Sequence, residues 1–518
     1  MSCGGGDDMV NCKQYEGLLI VTPFYVRVKS HEREHLMIRL PNELVLQVFE
    51  NTLDSSCDPF LFTITRYYFL HSFSFLIFMS SVCRSWRSVG INAPQLWTSI
   101  LVSPKLPLVI SELFFNRSGT CLVDVTLEFL HVYDVGDTYI RQATQLVASH
   151  LLRTRALAAT FRFMSAFDIA AHAFATVSTP NLQSAALTLL YGHPWNPPAD
   201  GHSSILANAG HLKLQGICLR CAPPLKNLTH LDICGFNPTR LEFSMLFTDC
   251  PLLETLVLHD FECCQSDESE VSSPIVAPSL RTLAISFGLE HVESSCPCPF
   301  ALLSTPKLEY LEISDPSSSL QLRDHFANLS TQHVRHLVLQ GVVIGMKNAE
   351  FYHSFSEISQ LDVLKTVGDV DFLTRKWMAN GTMIPLSEFP FPRLVSITFE
   401  SFSPSRDLRW LLETAAACIA DRGQFSIEVP ASNQPELADM SELLKQCGDL
   451  LKTSFFDSTP VRLLDTPDSW DEMHGPIDLD FDSWDDSVDA DPDWEDYFED
   501  THDEWEDYAE EIDYHDGW

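Results

Sequence analysis

The chain has 518 residues, of which 45% are hydrophobic and 20% are charged, and its formal net charge is −38. This length and composition predict a globular protein of two or three domains rather than a wholly disordered chain. No stretch resembles a basic groove, which argues against nucleic acid as a partner because phosphate contacts require clustered Lys and Arg.

The 15 cysteines are odd in number and scattered through apolar runs, which indicates buried thiols rather than a disulfide scaffold. The first residues have neither the basic nor the apolar region of a signal peptide. We therefore expect a protein of the reducing cytoplasm, the nucleus or both.

Residues 1–38 form an N-terminal extension without clear periodicity. After it, Pro41 suits the first position of a helix, where its missing N–H would be unsatisfied anyway. An apolar stripe then recurs at helical spacing: Leu44, Val45, Val48 and Phe49. A second segment places Val82, Cys83 and Trp86 beside two arginines before Pro94 forces a break. Such short helices bury little core, so part of this surface should meet a partner.

These segments resemble an F-box, the motif by which substrate receptors attach to the Skp-type adaptor of cullin-RING ubiquitin ligases. Leu40-Pro41 with Glu43-Leu44 looks like the opening of the motif, and residues 82–87 look like its second helix. The closing Pro94-x-Leu96-Trp97 is similar to that of many fungal, mushroom-type members. The resemblance implies a helical domain over 39–100. It assigns adaptor binding to Leu40, Pro41, Leu44, Val48, Phe49, Val82, Cys83 and Trp86.

An apolar insertion at 58–79 interrupts this domain where a polar loop is expected. Its run from 60 to 79 has the length of a membrane-spanning helix, but Arg66, His71 and several Ser and Thr interrupt it. A buried insertion, a membrane helix and a segment missing from the mature protein all remain open. We favour the buried insertion and expect no membrane association.

Residues 101–174 form a linker region of strands and helices that leads into the next domain. The pattern predicts a helix over 106–115, an alternating strand over 122–127 and a helix over 138–153.

From residue 228 onward the sequence repeats an apolar-x-x-apolar-x-apolar pattern. Five strong copies begin at Leu228, Leu253, Leu280, Leu308 and Val334. Weaker copies begin at Leu182, Ala209, Leu361 and Leu394. A period in the twenties with this pattern is the signature of leucine-rich repeats. We predict an irregular solenoid over 175–455, closed by an amphipathic helix at 436–451, in which each repeat adds one strand to a curved parallel sheet.

The outward positions of these strands are predicted to line the concave face of the solenoid. The residues assigned to substrate binding are His230, Asp232, His259, Tyr310, Glu312, His336 and Gln340. Other outward positions are Thr255, Thr282, Ser396 and Glu400. An ordinary solvated sheet face is the alternative to a recognition surface, since solenoids commonly bind along such faces.

An acidic tail over 456–518 is predicted to be disordered. Residues 465–518 contain 24 Asp and Glu and no Lys or Arg, interspersed with aromatic side chains. Uncompensated charge at this density keeps a segment extended. The tail either solubilises the protein or binds a partner as an acidic-aromatic segment.

The sequence predicts neither a metal site nor a cofactor. Three cysteine pairs have spacings that a zinc ion could bridge, but no second pair stands at a familiar distance. They are Cys218 and Cys221, Cys263 and Cys264, and Cys296 and Cys298. No phosphate-binding loop or nucleophile motif is present, so we expect no enzyme.

The predicted fold class is α/β, with a small helical F-box, a leucine-rich-repeat solenoid and an acidic tail. The two resemblances imply an adaptor that docks on a Skp-type adaptor and cullin scaffold and holds an unknown protein substrate. The alternative is a repeat scaffold with a degenerate F-box, whose acidic tail binds a partner. An enzyme would instead need a cluster of perturbed titratable groups.

Overall fold

The computed structural model describes the following residues: 41–47, 83–130, 136–175, 177–191, 206–217, 225–235, 237–262, 273–288, 298–315, 322–326, 329–344, 349–352, 354–364, 367–368, 375–377, 383–385, 391, 393–400, 424–434, 445, 448–456 and 462–464. The apolar insertion at 58–79 and the acidic segment beyond 464 lie outside these ranges.

A single parallel sheet dominates the described part of the chain, and its strands lie side by side in chain order. The strands are β1 Ser99–Val102, β2 Val123–Phe129, β3 Thr154–Phe163, β4 Ser184–Tyr191, β5 His211–Gln215, β6 His230–Cys234, β7 Thr255–Phe261, β8 Thr282–Phe287, β9 Tyr310–Ser314, β10 His336–Gln340, β11 Gln360–Leu364, β12 Ser396–Phe399, β13 Phe425–Pro430 and β14 Leu451–Phe456. Parallel neighbours that follow chain order are what a stack of repeats produces.

Helices and short segments return the chain from one strand to the next. The α-helices are α1 Arg84–Asn92, α2 Leu108–Arg117, α3 Asp137–His150, α4 Met164–Phe174, α5 Arg240–Asp249, α6 Leu322–His325 and α7 Ala349–Tyr352. The 3-10 turns are Pro94–Trp97, Leu151–Arg153, Pro299–Leu302, Thr331–His333, Ala431–Asn433 and Gly448–Leu450. Short strands pair Ile275–Val276 with Leu303–Ser304, Val343–Ile344 with Val367–Gly368, and Arg375–Trp377 with Met383–Pro385.

Alternation along each strand separates a core face from a polar face. Leu231 and Ile233 of β6 are at most 1% exposed and belong to the main apolar core, together with Ile140 and Val147 of α3. The intervening Asp232 belongs to the opposite face, which we call the polar face. Because side chains alternate with period two, each repeat sends its leucines inward and leaves its variable positions on the polar face.

The sheet starts before the predicted beginning of the solenoid at residue 175. The linker region contributes β2 and β3, which pair in parallel with each other and with their neighbours. Its predicted helices are present as α2 and as α3 with the following 3-10 turn. Repeats before residue 175 lack the leucine pattern because β3 reads Thr-Arg-Ala-Leu-Ala-Ala-Thr, in which small alanines occupy positions on both faces.

Several strands end in a residue with left-handed backbone geometry, where the chain turns away from the sheet. Gly216, Gly235 and Gly341 follow β5, β6 and β10 with φ of 65°, 70° and 66°. The strand register places Asp260 at the equivalent position in β7, with φ of 50°. Glycine adopts this conformation without the steric cost that a Cβ imposes.

The C-terminal region differs from prediction at two places. The amphipathic helix predicted for 436–451 does not extend through its last residues, because 448–450 form a 3-10 turn and Leu451 begins β14, whose backbone pairs with β13. The tail predicted to be disordered from 456 contains residues 462–464, which pack on the polar face. These three residues precede the segment without Lys or Arg. The side chains of Arg462 and Leu464 are largely covered on that face, whereas Leu463 is exposed.

Among the helices of the described residues, none is long and apolar enough to cross a membrane. The run at 60–79 lies outside those residues.

Candidate functional site

The segment predicted to bind an adaptor, which we call the docking segment, is described at 41–47 and 83–97. Leu40, Val48, Phe49 and Val82 lie outside the described residues. Residues 42–47 are helical, and Pro41 stands immediately before them, exposed to solvent. The two faces of this helix differ: Val45 is 0% exposed, whereas Leu44 is 47% exposed. Leu44 is therefore the described apolar residue of this helix that is available to a partner.

Helix α1, in the second part of the docking segment, is held in place by contacts with the core. Cys83 caps α1, since its Sγ accepts a hydrogen bond from the backbone N–H of Trp86 at 3.5 Å. Trp86 is 6% exposed and belongs to the main core. Trp97 donates from Nε1 to the carbonyl of Gly90 at 2.8 Å and packs edge-on against Phe114 of α2 at 4.9 Å. These contacts attach the docking segment to the first layer of the sheet domain.

The polar face is organised by a row of side chains in strict strand register, which we call the middle row. It runs from β5 to β13 through Lys213, Asp232, Val257, Ala284, Glu312, Val338, Asp362, Thr398 and Glu428. Four of the five charged members, Lys213, Asp232, Glu312 and Asp362, have partners on neighbouring strands or across the chain. The row therefore carries two polar clusters separated by the apolar pair Val257 and Ala284.

The first polar cluster centres on Asp232. Its carboxylate lies 3.1 Å from Lys213 Nζ and 3.2 Å from His259 Nε2. His230, on the same strand, stacks on His211 with ring centroids 5.6 Å apart. The sequence predicted Asp232, His230 and His259 at this face but did not identify His211 or Lys213, which occupy the same register in the weak preceding repeat.

Burial and charge act in opposite directions on this cluster. Burial raises the pKa of Asp232, but the hydrogen bond and charge of His259 and the charge of Lys213 outweigh it, so the pKa lies below its ordinary value. Burial lowers the pKa of His230, and the charges of His211 and Lys213 add to this against the opposing effect of Asp232. The cluster is a set of compensated charges on a partly buried surface.

The second polar cluster contains Tyr310, Glu312 and His336, all predicted for this face, together with Asp362. The hydroxyl of Tyr310 donates to Glu312 Oε2 at 2.6 Å, and the Tyr310 ring meets that of His336 edge-on at 4.7 Å. His336 Nε2 lies 2.7 Å from Asp362 Oδ2. Burial raises the pKa of Tyr310, and the neighbouring Glu312 raises it further, so this hydroxyl stays protonated and remains a donor.

Asp362 is a carboxylate with 0% exposure. Its burial raises its pKa, but hydrogen bonds from His336 and Thr398 and the charges of His336 and Arg462 outweigh that effect and bring the pKa below its ordinary value. The predicted start of its repeat at Leu361 is wrong: the strand register pairs Leu361 with Leu337, so the repeat begins three residues earlier, at Ile358. With the later start, Asp362 was not assigned to the polar face. Its place between Leu361 and Val363, equivalent to Glu312 between Leu311 and Ile313, was the available signal.

Residues 462–464, which we call the strap, lie across the second polar cluster. Arg462 Nη2 is 2.8 Å from Asp362 Oδ2, and the backbone N–H groups of Leu463 and Leu464 each donate to Glu312 at 3.2 Å. Leu464 is 8% exposed and packs with Val257 and Ala284 in a small cluster separate from the main core. Repeat periodicity carries no signal for this contact, because the strap lies beyond the last repeat.

The remaining predicted residue, Gln340, sits at the end of β10, away from the middle row. Its backbone carbonyl accepts a hydrogen bond from Asp315 N–H at 3.0 Å, and its buried Oε1 has no hydrogen-bond partner among the described residues. Thr255, Thr282 and Ser396 lie two residues before the middle-row members of β7, β8 and β12 and therefore on the same face.

The described side chains of the polar face offer charged and hydrogen-bonding groups. Within the described residues, no group of three or more His, Cys, Asp or Glu is arranged to hold a metal ion. Of the cysteines whose spacing raised a zinc site, Cys298 is buried in the main core, and Cys218, Cys221, Cys263, Cys264 and Cys296 lie outside the described residues. Carboxylates held beside basic and hydroxyl groups at fixed positions can instead bind the amides and cations of a peptide.

No protein-family profile matches the chain. A stretch of 119 residues is 32% identical to an F-box/LRR-repeat protein of Arabidopsis thaliana. The aligned part covers 23% of this chain and 24% of the plant protein, so the match spans about a quarter of that relative's length. The similarity agrees in kind with the F-box and leucine-rich-repeat resemblances of the sequence, and the fungal subtype stays a prediction.

Proposed function

We propose that the chain is the substrate-recognition adaptor of a Skp-cullin-F-box ubiquitin ligase, working in the cytoplasm, the nucleus or both. The observation that carries the proposal is the polar face, which holds two clusters of paired charges in strand register on a parallel repeat sheet and is attached to a docking segment similar to an F-box. The partial likeness to a plant F-box/LRR-repeat protein supports the same assignment. Membrane and nucleic acid have no part in it.

In this proposal the chain acts by position and performs no chemistry itself. The docking segment binds the Skp-type adaptor, which is held on the cullin scaffold, and the polar face binds a protein substrate. Tethering raises the effective concentration of substrate lysines near the charged conjugating enzyme, so ubiquitin transfer is accelerated by proximity.

The exposure of each side chain decides which residue of the docking segment is suitable for substitution. Trp86 is buried, so replacing it would unfold the docking helix as well as change any interface. Leu44 is 47% exposed in the first turn of its helix, and Leu241 of α5 is 56% exposed in a comparable first-turn position on another part of the chain. Leu241→Asp is therefore a matched control for Leu44→Asp.

The experiment is capture of the full-length chain by a purified Skp-type adaptor bound to its cullin. We expect wild type and Leu241→Asp to bind equally, and Leu44→Asp to bind at least about 30-fold more weakly, the size of a hot-spot loss of about 2 kcal/mol. Failure of the adaptor to capture the wild-type chain would contradict the adaptor assignment. Equal capture of all three chains would contradict the assignment of Leu44 to the interface.

The second candidate is a non-catalytic repeat scaffold with a degenerate F-box. Burial of Val45 and Trp86 in the core favours it, because those side chains are used for internal packing and are not offered to an adaptor. The same capture experiment separates the two functions, since a scaffold of this kind would not bind the Skp-type adaptor.

A further inference from the structure

The strap is bound by three separate features of the polar face. Glu312 accepts both consecutive backbone N–H groups, one on each carboxylate oxygen. Asp362 lies opposite the guanidinium of Arg462. Leu464 rests on the apolar shelf formed by Val257 and Ala284. These are the features by which a protein surface recognises an extended peptide: main-chain amides, one charge and one apolar side chain.

The contacts show which positions of the bound segment the polar face recognises. The side chain of Arg462 is 11% exposed and Leu464 is 8% exposed, whereas Leu463 is 37% exposed and contributes its backbone N–H. The recognised pattern is therefore Arg-x-apolar. Proline is excluded at the second and third positions, because each must donate an N–H that proline lacks.

The strap is separable from the rest of the fold. Leu464, Val257 and Ala284 form an apolar cluster of their own, distinct from the main core that holds the strands together. Leaving the face uncovers this small cluster and the carboxylates of Glu312 and Asp362, while the repeat leucines stay buried. Buried carboxylates are costly without compensating charge or hydrogen bonds, so the uncovered face would favour another segment with the same groups.

We propose that the strap is an internal stand-in for substrate, and that the protein substrate binds at Glu312, Asp362 and the Val257–Ala284 shelf through an exposed, extended Arg-x-apolar segment that displaces it. This inference rests on the proposed function and names the substrate class and its site. The strap thereby sets the threshold that a substrate must exceed, because binding is weakened by the fraction of molecules in which the site is already filled.

The first test measures binding of a fluorescently labelled peptide with the sequence of residues 459–466 to the purified full-length chain by anisotropy. The variant Arg462→Ala with Leu464→Ser removes the strap's side-chain contacts and should bind the peptide at least tenfold more tightly than wild type. A peptide with Ala in place of its Arg, or Pro in place of its first Leu, should bind at least tenfold more weakly. Equal peptide affinity of wild type and variant would overturn the proposal.

The site itself is tested in the same strap variant. Glu312→Gln should abolish peptide binding, because an amide is a weaker acceptor for the two N–H groups. Glu428→Gln, the same change in the same row two strands beyond Asp362, should leave binding unchanged. If Glu312→Gln left the peptide affinity unchanged, the peptide would bind elsewhere and the proposal would be overturned.

A measurement on the wild-type chain needs no substitution. Saturating unlabelled peptide should speed hydrogen exchange at the amides of Leu463 and Leu464, since their acceptor is taken over. Unchanged exchange at saturation would mean that the strap is a permanent brace. Capture by the Skp-type adaptor is measured in parallel. If the adaptor does not capture the chain but the peptide displaces the strap, only the ligase assignment is overturned. If the adaptor captures the chain but the peptide does not displace the strap, only the role of the strap is overturned.

Discussion

The guanidinium of Arg462 lies 2.8 Å from the carboxylate of Asp362, a group with no exposed surface in the middle of the polar face. Arg462 is the last basic residue of the sequence, since residues 465–518 contain no Lys or Arg. The pair joins the C-terminal part of the chain to the eleventh strand of the sheet. It makes the charge balance of the candidate recognition surface depend on a residue outside the repeats.

Removing the positive member of this pair should destabilise the protein measurably. We expect Arg462→Met, which keeps much of the aliphatic stem, to lower the free energy of unfolding by about 2 kcal/mol. This is less than the about 3–5 kcal/mol typical of a broken buried pair, because His336 and Thr398 still bind Asp362. Urea unfolding of Arg462→Met, Asp362→Asn and the double variant gives the coupling directly. Strict additivity of the two losses would mean that the pair contributes nothing.

The loss of stability at acid pH should reflect the lowered pKa of Asp362. Its folded-state pKa lies below the ordinary value of 3.8, so the unfolded chain takes up this proton more readily than the folded chain. The stabilisation is therefore fully present above the ordinary pKa and is lost as the pH falls through the lower, folded value. The difference in Tm between wild type and Asp362→Asn should be larger at pH 6 than at pH 3. A difference that grew towards acid pH would contradict the depressed pKa.

The sequence predicted the polar face because repeats impose a spacing that survives in a single sequence. Tyr310, Glu312 and His336 could be placed on one face from the positions of Leu311 and Leu337 alone. Asp362 obeys the same rule, but the prediction began its repeat at Leu361 instead of Ile358 and so placed the outward positions three residues too late. The strap follows no rule of spacing, since the N–H of Leu463 and its acceptor Glu312 are 151 residues apart. Only the folded chain identifies a contact of that kind.

The turn after β5 should tolerate no side chain. Gly216 has φ of 65°, and a Cβ there would lie 2.3 Å from the carbonyl oxygen of Leu189 on the neighbouring strand. Gly235 has φ of 70° with nothing within 4 Å of the same position, and so it isolates the backbone cost. We expect Gly235→Ala to cost about 1–2 kcal/mol. Gly216→Ala should cost about 1–3 kcal/mol more, because overpacking adds to the strain.

Thermal unfolding of the two alanine variants beside wild type distinguishes these terms. A loss in Gly216→Ala no greater than that in Gly235→Ala would show that the backbone at Leu189 moves aside. The close approach of β4 and this turn would then not be a fixed feature of the sheet.

Substitutions in the two helices of the docking segment should differ in their effect on the free energy of unfolding. Trp86 is 6% exposed within the main core, so Trp86→Ala removes a large buried side chain and should cost about 3–5 kcal/mol. Leu44, at 47% exposure, should change the free energy of unfolding by less than about 0.5 kcal/mol when replaced by Asp. Urea unfolding of both variants, beside Leu241→Asp, measures the contrast. A large loss in Leu44→Asp would mean that its side chain packs internally, and weakened adaptor capture by that variant could then no longer be attributed to an interface.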